Sequence, residues 1–229
     1  MRSAELTLVL VGAGVLALLA AGCDSTQQKS ARLQIQAERL LAAREKVVVT
    51  RANPFVQAER VTVVRRSGRT AIAVLLRNTG SRPVSDLPIS LRVDGRYLNR
   101  RAGLAYFQTH TPAIAPGGEA TWVFVTRAPV RRASALVGVH PAVSAEAGRL
   151  PSLRASVGAG SATVTNPSGV PQYGLVVYAY AQRGTRLLAA GRASLARLGA
   201  GKSATVPLRL VGRASGATVQ VEAPPTIFK

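Results

Sequence analysis

Cysteine is nearly absent from this chain: Cys23 is the only one, which excludes an internal disulfide and any metal cluster built on several thiolates. Acidic residues are scarce as well, 10 Asp and Glu against 30 Lys and Arg. That shortage argues against a glycosidase working through paired carboxylates. Histidine occurs twice, as His110 in YFQTHTP and His140 in VGVHP. A zinc site generally needs three protein ligands, so the pair would have to recruit Asp86, Asp94, Glu119 or Glu146, and no spacing demands it. Both histidines are expected to be structural residues beside proline turns, and neither a metal nor a cofactor is expected. No GxSxG elbow raises one serine above the others. GAGKS at 199–203 lacks the full spacing of a phosphate loop and precedes strand-like sequence, so it reads as a turn. Aromatics make up only 4% of the residues, which leaves any core to Ala, Val and Leu.

What is present begins with the N-terminus. MRSAELTLVLVGAGVLALLAAGC sets one arginine before an apolar run from Leu6 to Ala21, with small residues just ahead of Cys23. This is the layout of a secretory signal. Ala20, Ala21, Gly22 and Cys23 resemble the bacterial lipobox, although that family prefers leucine at the first of the four places. The resemblance implies cleavage before Cys23, with acylation of its sulfur and of its new amino group. Several acyl chains would then hold the protein on a membrane, since each buried methylene contributes roughly 0.8 kcal/mol. Loss of residues 1–22 removes one Arg and one Glu, so the net charge stays at +20. Such a surface attracts anionic lipids, acidic envelope polymers or acidic proteins.

The spacing of Leu33, Ala37, Leu40 and Leu41 predicts a short helix, so residues 23–45 read as a tether with a helical stalk. From Lys46 the pattern becomes strand-like. ERVTVVRR and TAIAVLLRN flank Ser67-Gly68 as a hairpin, LPISLRV precedes the turn Asp94-Gly95, EATWVFVT places Trp122 and Phe124 on one face, and ALVGVHP closes the set. A second pass starts near Leu153, with RASVGAGSATVTN, YGLVVYAYAQRG, TRLLAAGRASLARL, SATVPLRLVG and ATVQVEAP as strand material. LRNTGSRPVSDLPISLRV in the first pass aligns with TVTNPSGVPQYGLVVYAY in the second, and IAPGGEATWVFV aligns with LGAGKSATVPLRL. The internal repeat predicts tandem modules over 46–150 and 151–229. The expected fold class is therefore all-β, two tandem immunoglobulin-like β-sandwiches preceded by a short helical stalk.

The sequence of strand, Asn-containing turn, strand and Gly-rich turn resembles bacterial immunoglobulin-like modules of the CARDB type, the cell adhesion related domain in bacteria. Such domains serve as spacers, adhesion units or assembly parts of envelope proteins. The resemblance implies a noncatalytic binding or scaffolding protein, lipid-anchored on the extracytoplasmic side of a bacterial envelope. Within the irregular tract LNRRAGLAYFQTHTP and just before it, Arg96, Arg100, Arg101, Tyr106 and Phe107 combine directional anion donors with aromatic faces. They are the candidate contacts for an anionic envelope polymer or protein. Nucleic acid is disfavoured as a partner, because base-recognition motifs are absent and export separates the chain from cytoplasmic targets. The alternatives are a structural spacer without a specific ligand and an envelope enzyme drawing a histidine toward a carboxylate.

Overall fold

Thirteen β-strands follow one another in the computed structural model, which describes Lys29, Leu33 and residues 47–98, 104–139 and 151–226. The first six are β1 (Val56–Arg66), β2 (Arg69–Asn78), β3 (Ile89–Val93), β4 (Arg96–Tyr97), β5 (Glu119–Thr126) and β6 (Ala133–Val137). The rest are β7 (Arg154–Gly158), β8 (Ser161–Thr165), β9 (Gln172–Arg183), β10 (Arg186–Leu198), β11 (Ser203–Pro207), β12 (Leu210–Gly212) and β13 (Thr218–Glu222). All pairings are antiparallel. The tight hairpins arise where the sequence supplies residues that tolerate positive φ. Ser67 and Gly68 (φ 48° and 70°) join β1 to β2, and Asp94 and Gly95 (φ 45° and 85°) join β3 to β4.

Four sheets result, ordered β1-β2-β5, β4-β3-β6, β12-β10-β9-β13 and β11-β8-β7. The second half repeats the first strand for strand. β7-β8-β11 answers β1-β2-β5, and β10-β9-β13 answers β4-β3-β6, with β12 added at the β10 edge. Four antiparallel sheets agree with the all-β, sandwich-type architecture expected from the alternating segments.

The helical stalk is corrected. Among the described residues no helix of stalk length is found: the one helical element whose bounds are described is the 3₁₀ turn Tyr106–Gln108, and Lys29 and Leu33 are single described positions with helical backbone. Of the segment 23–45 only Lys29 and Leu33 are described, and Leu33, the first apolar residue of the expected stripe, is 65% exposed. A short amphipathic segment gains most of its helical stability from burying its stripe, and Leu33 leaves most of its surface uncovered. The expected signal segment 1–22 and Cys23 lie outside the described residues. Among the described residues no helix is long and apolar enough to cross a membrane.

Alternation along the central strands builds a layered stack. On β2, Ile72, Val74 and Leu76 share a face with Trp122 and Phe124 of β5, paired as Ile72 to Phe124 and Val74 to Trp122. Ala71, Ala73 and Leu75 share the other face with Thr121 and Val123. The first face closes on Ile89 and Leu91 of β3, while the second meets the second half of the chain, whose Val176, Tyr178, Tyr180, Ala190 and Val211 enter the same hydrophobic core. β9 then divides two cores by the same two-residue period. Val176, Tyr178 and Tyr180 face the large one, and Leu175 and Val177 face a smaller one with Ala162, Val164, Leu198 and Val206. Residues 36–229 accordingly form one unit, and Met1–Ile35 a separate one.

Candidate functional site

The tract that carries the expected contacts divides between two settings. Arg96 is exposed on β4, in an open depression lined by Arg92, Gly95, Arg96 and Tyr97. Arg92 Nε donates to Gly95 O at 3.1 Å, so the arginine stem is folded back along its own hairpin. Arg100 and Arg101 lie outside the described residues. Tyr106 and Phe107 belong to the 3₁₀ turn between β4 and β5, and both are half-buried.

That turn is tied down by local bonds. Ala105 N donates to Gln108 Oε1 at 2.9 Å, and Thr109 Oγ1 donates to Tyr106 O at 3.1 Å. Trp122 fixes the turn to the core, its Nε1 donating to Phe107 O at 2.9 Å and His110 O at 3.1 Å. The rings are already engaged within the chain. Tyr106 stacks on His110 with centroids 3.9 Å apart. The Arg192 guanidinium of the second half lies 4.3 Å from the Phe107 ring centroid, a geometry in which the ring quadrupole attracts the cation.

Arg192 is the unexpected member of this site. Burial pushes its guanidinium down to about 10, and neighbouring Tyr178 opposes that shift. Its Nη1 is buried without a hydrogen-bond partner, a costly arrangement for a cation. Burial above all pushes the Tyr178 hydroxyl up. Close by, Glu222 joins the halves by accepting from Thr121 N through Oε2 at 2.9 Å, and within its own half it accepts from Tyr180 Oη through Oε1 at 2.6 Å. Burial, and then that hydrogen bond, raises the Tyr180 hydroxyl. These groups hold two sheets together through satisfied donors and one buried cation.

His110 Nδ1 is 3.0 Å from Thr109 Oγ1 and 3.3 Å from Tyr106 O, so that nitrogen serves the turn. His140 and Glu146 lie outside the described residues. Among the described residues no three His, Cys, Asp or Glu side chains gather closely enough to hold a metal ion.

The repeat landmarks have a definite geometry. Asn78 and Asn166 are both fully buried. Asn78 Nδ2 donates to Arg82 O (2.8 Å) and Ala115 O (3.2 Å), and its Oδ1 accepts from Gly80 N (2.9 Å). Asn166 Nδ2 donates to Val170 O (2.8 Å) and Gly199 O (3.2 Å), and its Oδ1 accepts from Ser168 N (3.1 Å). Each asparagine thereby clamps the turn after its own strand to the Gly-rich turn before β5 or β11. In those second turns Gly117 and Gly201 take φ of 65° and 64°. The landmarks are structural, as their turn chemistry implied. No protein-family model matches the chain, and no curated protein matches it.

Proposed function

We propose that this protein is a noncatalytic, lipid-anchored binding or scaffolding component of a bacterial cell envelope. Ala20-Ala21-Gly22-Cys23 after the apolar run carries the anchoring part of this reading. The basic surface carries the binding part. Arginines of both halves, among them Arg65, Arg96, Arg131, Arg186 and Arg213, are exposed. The ion pairs between described residues gather on Arg77, which meets Glu59 at 3.4 Å and Glu119 at 3.8 Å. An anionic polymer or protein of the envelope, met through Arg96, Arg100, Arg101, Tyr106 and Phe107, is the proposed partner. A ligand-free spacer is the second reading, supported by the core shared between the halves.

Cys23→Ser tests the anchor. The variant is expected to lose incorporation of labelled fatty acid and to accumulate unprocessed precursor, whereas normal processing and attachment would end the lipoprotein reading. Charge reversal of Arg96, Arg100 and Arg101 tests the surface. Reduced recovery of envelope material on the purified chain supports binding, and unchanged recovery supports the spacer.

A further inference from the structure

Charge is unevenly placed along the strands. β1 ends, β2 begins, β5 ends, β6 begins and the β3–β4 hairpin turns at one end of the first half, as the pairs Arg66 to Arg69, Thr70 to Thr126 and Val93 to Ala133 require. That end bears exposed Arg65, Arg66 and Arg69 on the first hairpin. Arg127, Arg131 and Arg132 occupy the β5–β6 loop, and Arg92 and Arg96 flank the third turn, all exposed. The second half continues the array with exposed Arg183 and Arg186 around the β9–β10 turn and Arg213 beyond β12. Arg66 Nη1 donates to Gly212 O at 2.7 Å, which joins the two sets at one corner.

Among the described carboxylates, only Asp94 belongs to these turns, and its charge is already committed. Its oxygens accept from Arg131 N at 3.1 Å and Arg132 N at 2.9 Å. The others lie away from this end: Glu59 and Glu119 meet Arg77 near the far ends of β1 and β2, Asp86 precedes β3, and Glu222 ends β13.

We infer that this arginine end is a binding surface for an extended, phosphate-bearing linear polymer. Neighbouring strands are about 4.8 Å apart and packed sheets about 10 Å apart, so turns spread over three layers offer donors across roughly 20 Å. One small anion cannot use such an array, whereas a chain of phosphates can engage several guanidinium forks in register. The depression lined by Arg92, Gly95, Arg96 and Tyr97 is a recess that a chain can enter and a flat bilayer cannot. Among the described residues the exposed large hydrophobics, Leu33, Phe55, Leu136, Val139 and Val157, are absent from the turns themselves, so these turns have nothing large and apolar to insert among acyl chains. The surface shares Arg96 with the functional reading above and requires no lipid anchor.

The test uses the full chain in neutral detergent, with defined-length inorganic polyphosphate as the probe and monophosphate and phosphatidylglycerol vesicles as the other arms. Polyphosphate is expected to bind far more tightly than monophosphate and to weaken steeply with salt. Arg69→Gln, Arg131→Gln and Arg132→Gln together should weaken polyphosphate binding at least about tenfold at low salt, with a shallower salt slope. Arg51→Gln, Arg82→Gln and Arg154→Gln remove the same charge from exposed positions outside this end and should change binding less than about twofold. On the unaltered chain, bound polyphosphate should protect Arg69 and Arg131 from phenylglyoxal, read by mass spectrometry, and leave Arg82 and Arg154 reactive. Equal loss in both triple variants, uniform protection, absence of polyphosphate binding, or binding to vesicles alone would each overturn the inference. None of these readouts depends on processing at Cys23, so failure of the anchor and failure of this surface are distinguishable.

Discussion

The two halves of this molecule share a strand order and a pair of asparagine clamps but differ in what they enclose. The first half fills its sandwich with Trp122, Phe124, Ile72, Ile89 and Leu91, and the second fills its outer core with Ala162, Val164, Leu175, Val177, Leu198 and Val206. The frame is therefore set by turn geometry and backbone pairing, and the filling varies around it. The first half also shares its large core with its neighbour, through β2 and β5 on one side and β9 and β10 on the other. The second half's outer core has no such double duty.

The comparison predicts unequal costs for equivalent damage. Trp122→Ala removes a fully buried ring and frees the carbonyls of Phe107 and His110, so it should destabilise the β unit by about 3–5 kcal/mol in urea unfolding. Val164→Ala in the smaller core should cost markedly less, because it deletes only two buried methyl groups, at about 0.8 kcal/mol per carbon before any cavity cost. Equal losses would mean that the two cores are energetically alike despite their contents. The asparagines should behave alike instead. Asn78→Ala and Asn166→Ala each strand buried carbonyls and should each cost roughly 1–3 kcal/mol, and a neutral result at one position alone would break the equivalence of the clamps.

Much of this frame was legible before the fold. Asn78 and Asn166, with Gly117 and Gly201, could be aligned because turn chemistry is local and restricts residue type at fixed offsets. Alternating segments gave the strands, including alanine-rich β10, which is held by its long pairing with β9. The stalk expectation failed because periodicity reports a stripe and says nothing of a partner to cover it. The shared core escaped notice for a related reason: TAIAVLL and LVVYAYA are continuous apolar runs, the signature of strands buried on both faces, but a run does not say which sheet supplies the second cover. RRSGR, RVDGR, RAPVRR and QRGTR all placed arginine beside turn signals. Their common location needed the strand order, since only antiparallel pairing shows which turns share an end. Arg192 had no sequence signal, because nothing local distinguishes it from its exposed counterparts.

Whether the halves unfold together is the next and smaller test of the comparison. Glu222→Gln keeps the side-chain shape but weakens acceptance from Thr121 N across the junction (2.9 Å) and from Tyr180 Oη within the second half (2.6 Å). A loss of about 1–2 kcal/mol is expected, since hydrogen bonds to a charged partner exceed neutral ones. Calorimetry should still show one transition if the shared apolar core couples the halves, and two resolved transitions would show that Glu222 carries the coupling.

The smallest effect belongs to Asp94, whose exposed carboxylate locks the β3–β4 hairpin to the β5–β6 loop. The backbone N–H groups of Arg132 and then Arg131 hold its carboxyl below the usual range. A depressed folded-state pKa means that the unfolded chain binds the proton more readily. The stabilisation is therefore fully present above the ordinary aspartate value of about 3.9 and is lost as pH falls through the lower folded value. Asp94→Asn should leave a smaller fall in Tm between about pH 5 and pH 2 than the unaltered chain shows, with the two curves converging at the acid end. Parallel curves would mean that the loop is held without the charge. The second half offers an internal control, because Gly184 and Thr185 turn β9 into β10 with no carboxylate. Proton-linked weakening should consequently appear in hydrogen exchange at Arg131 and Arg132 before it appears around Gly184.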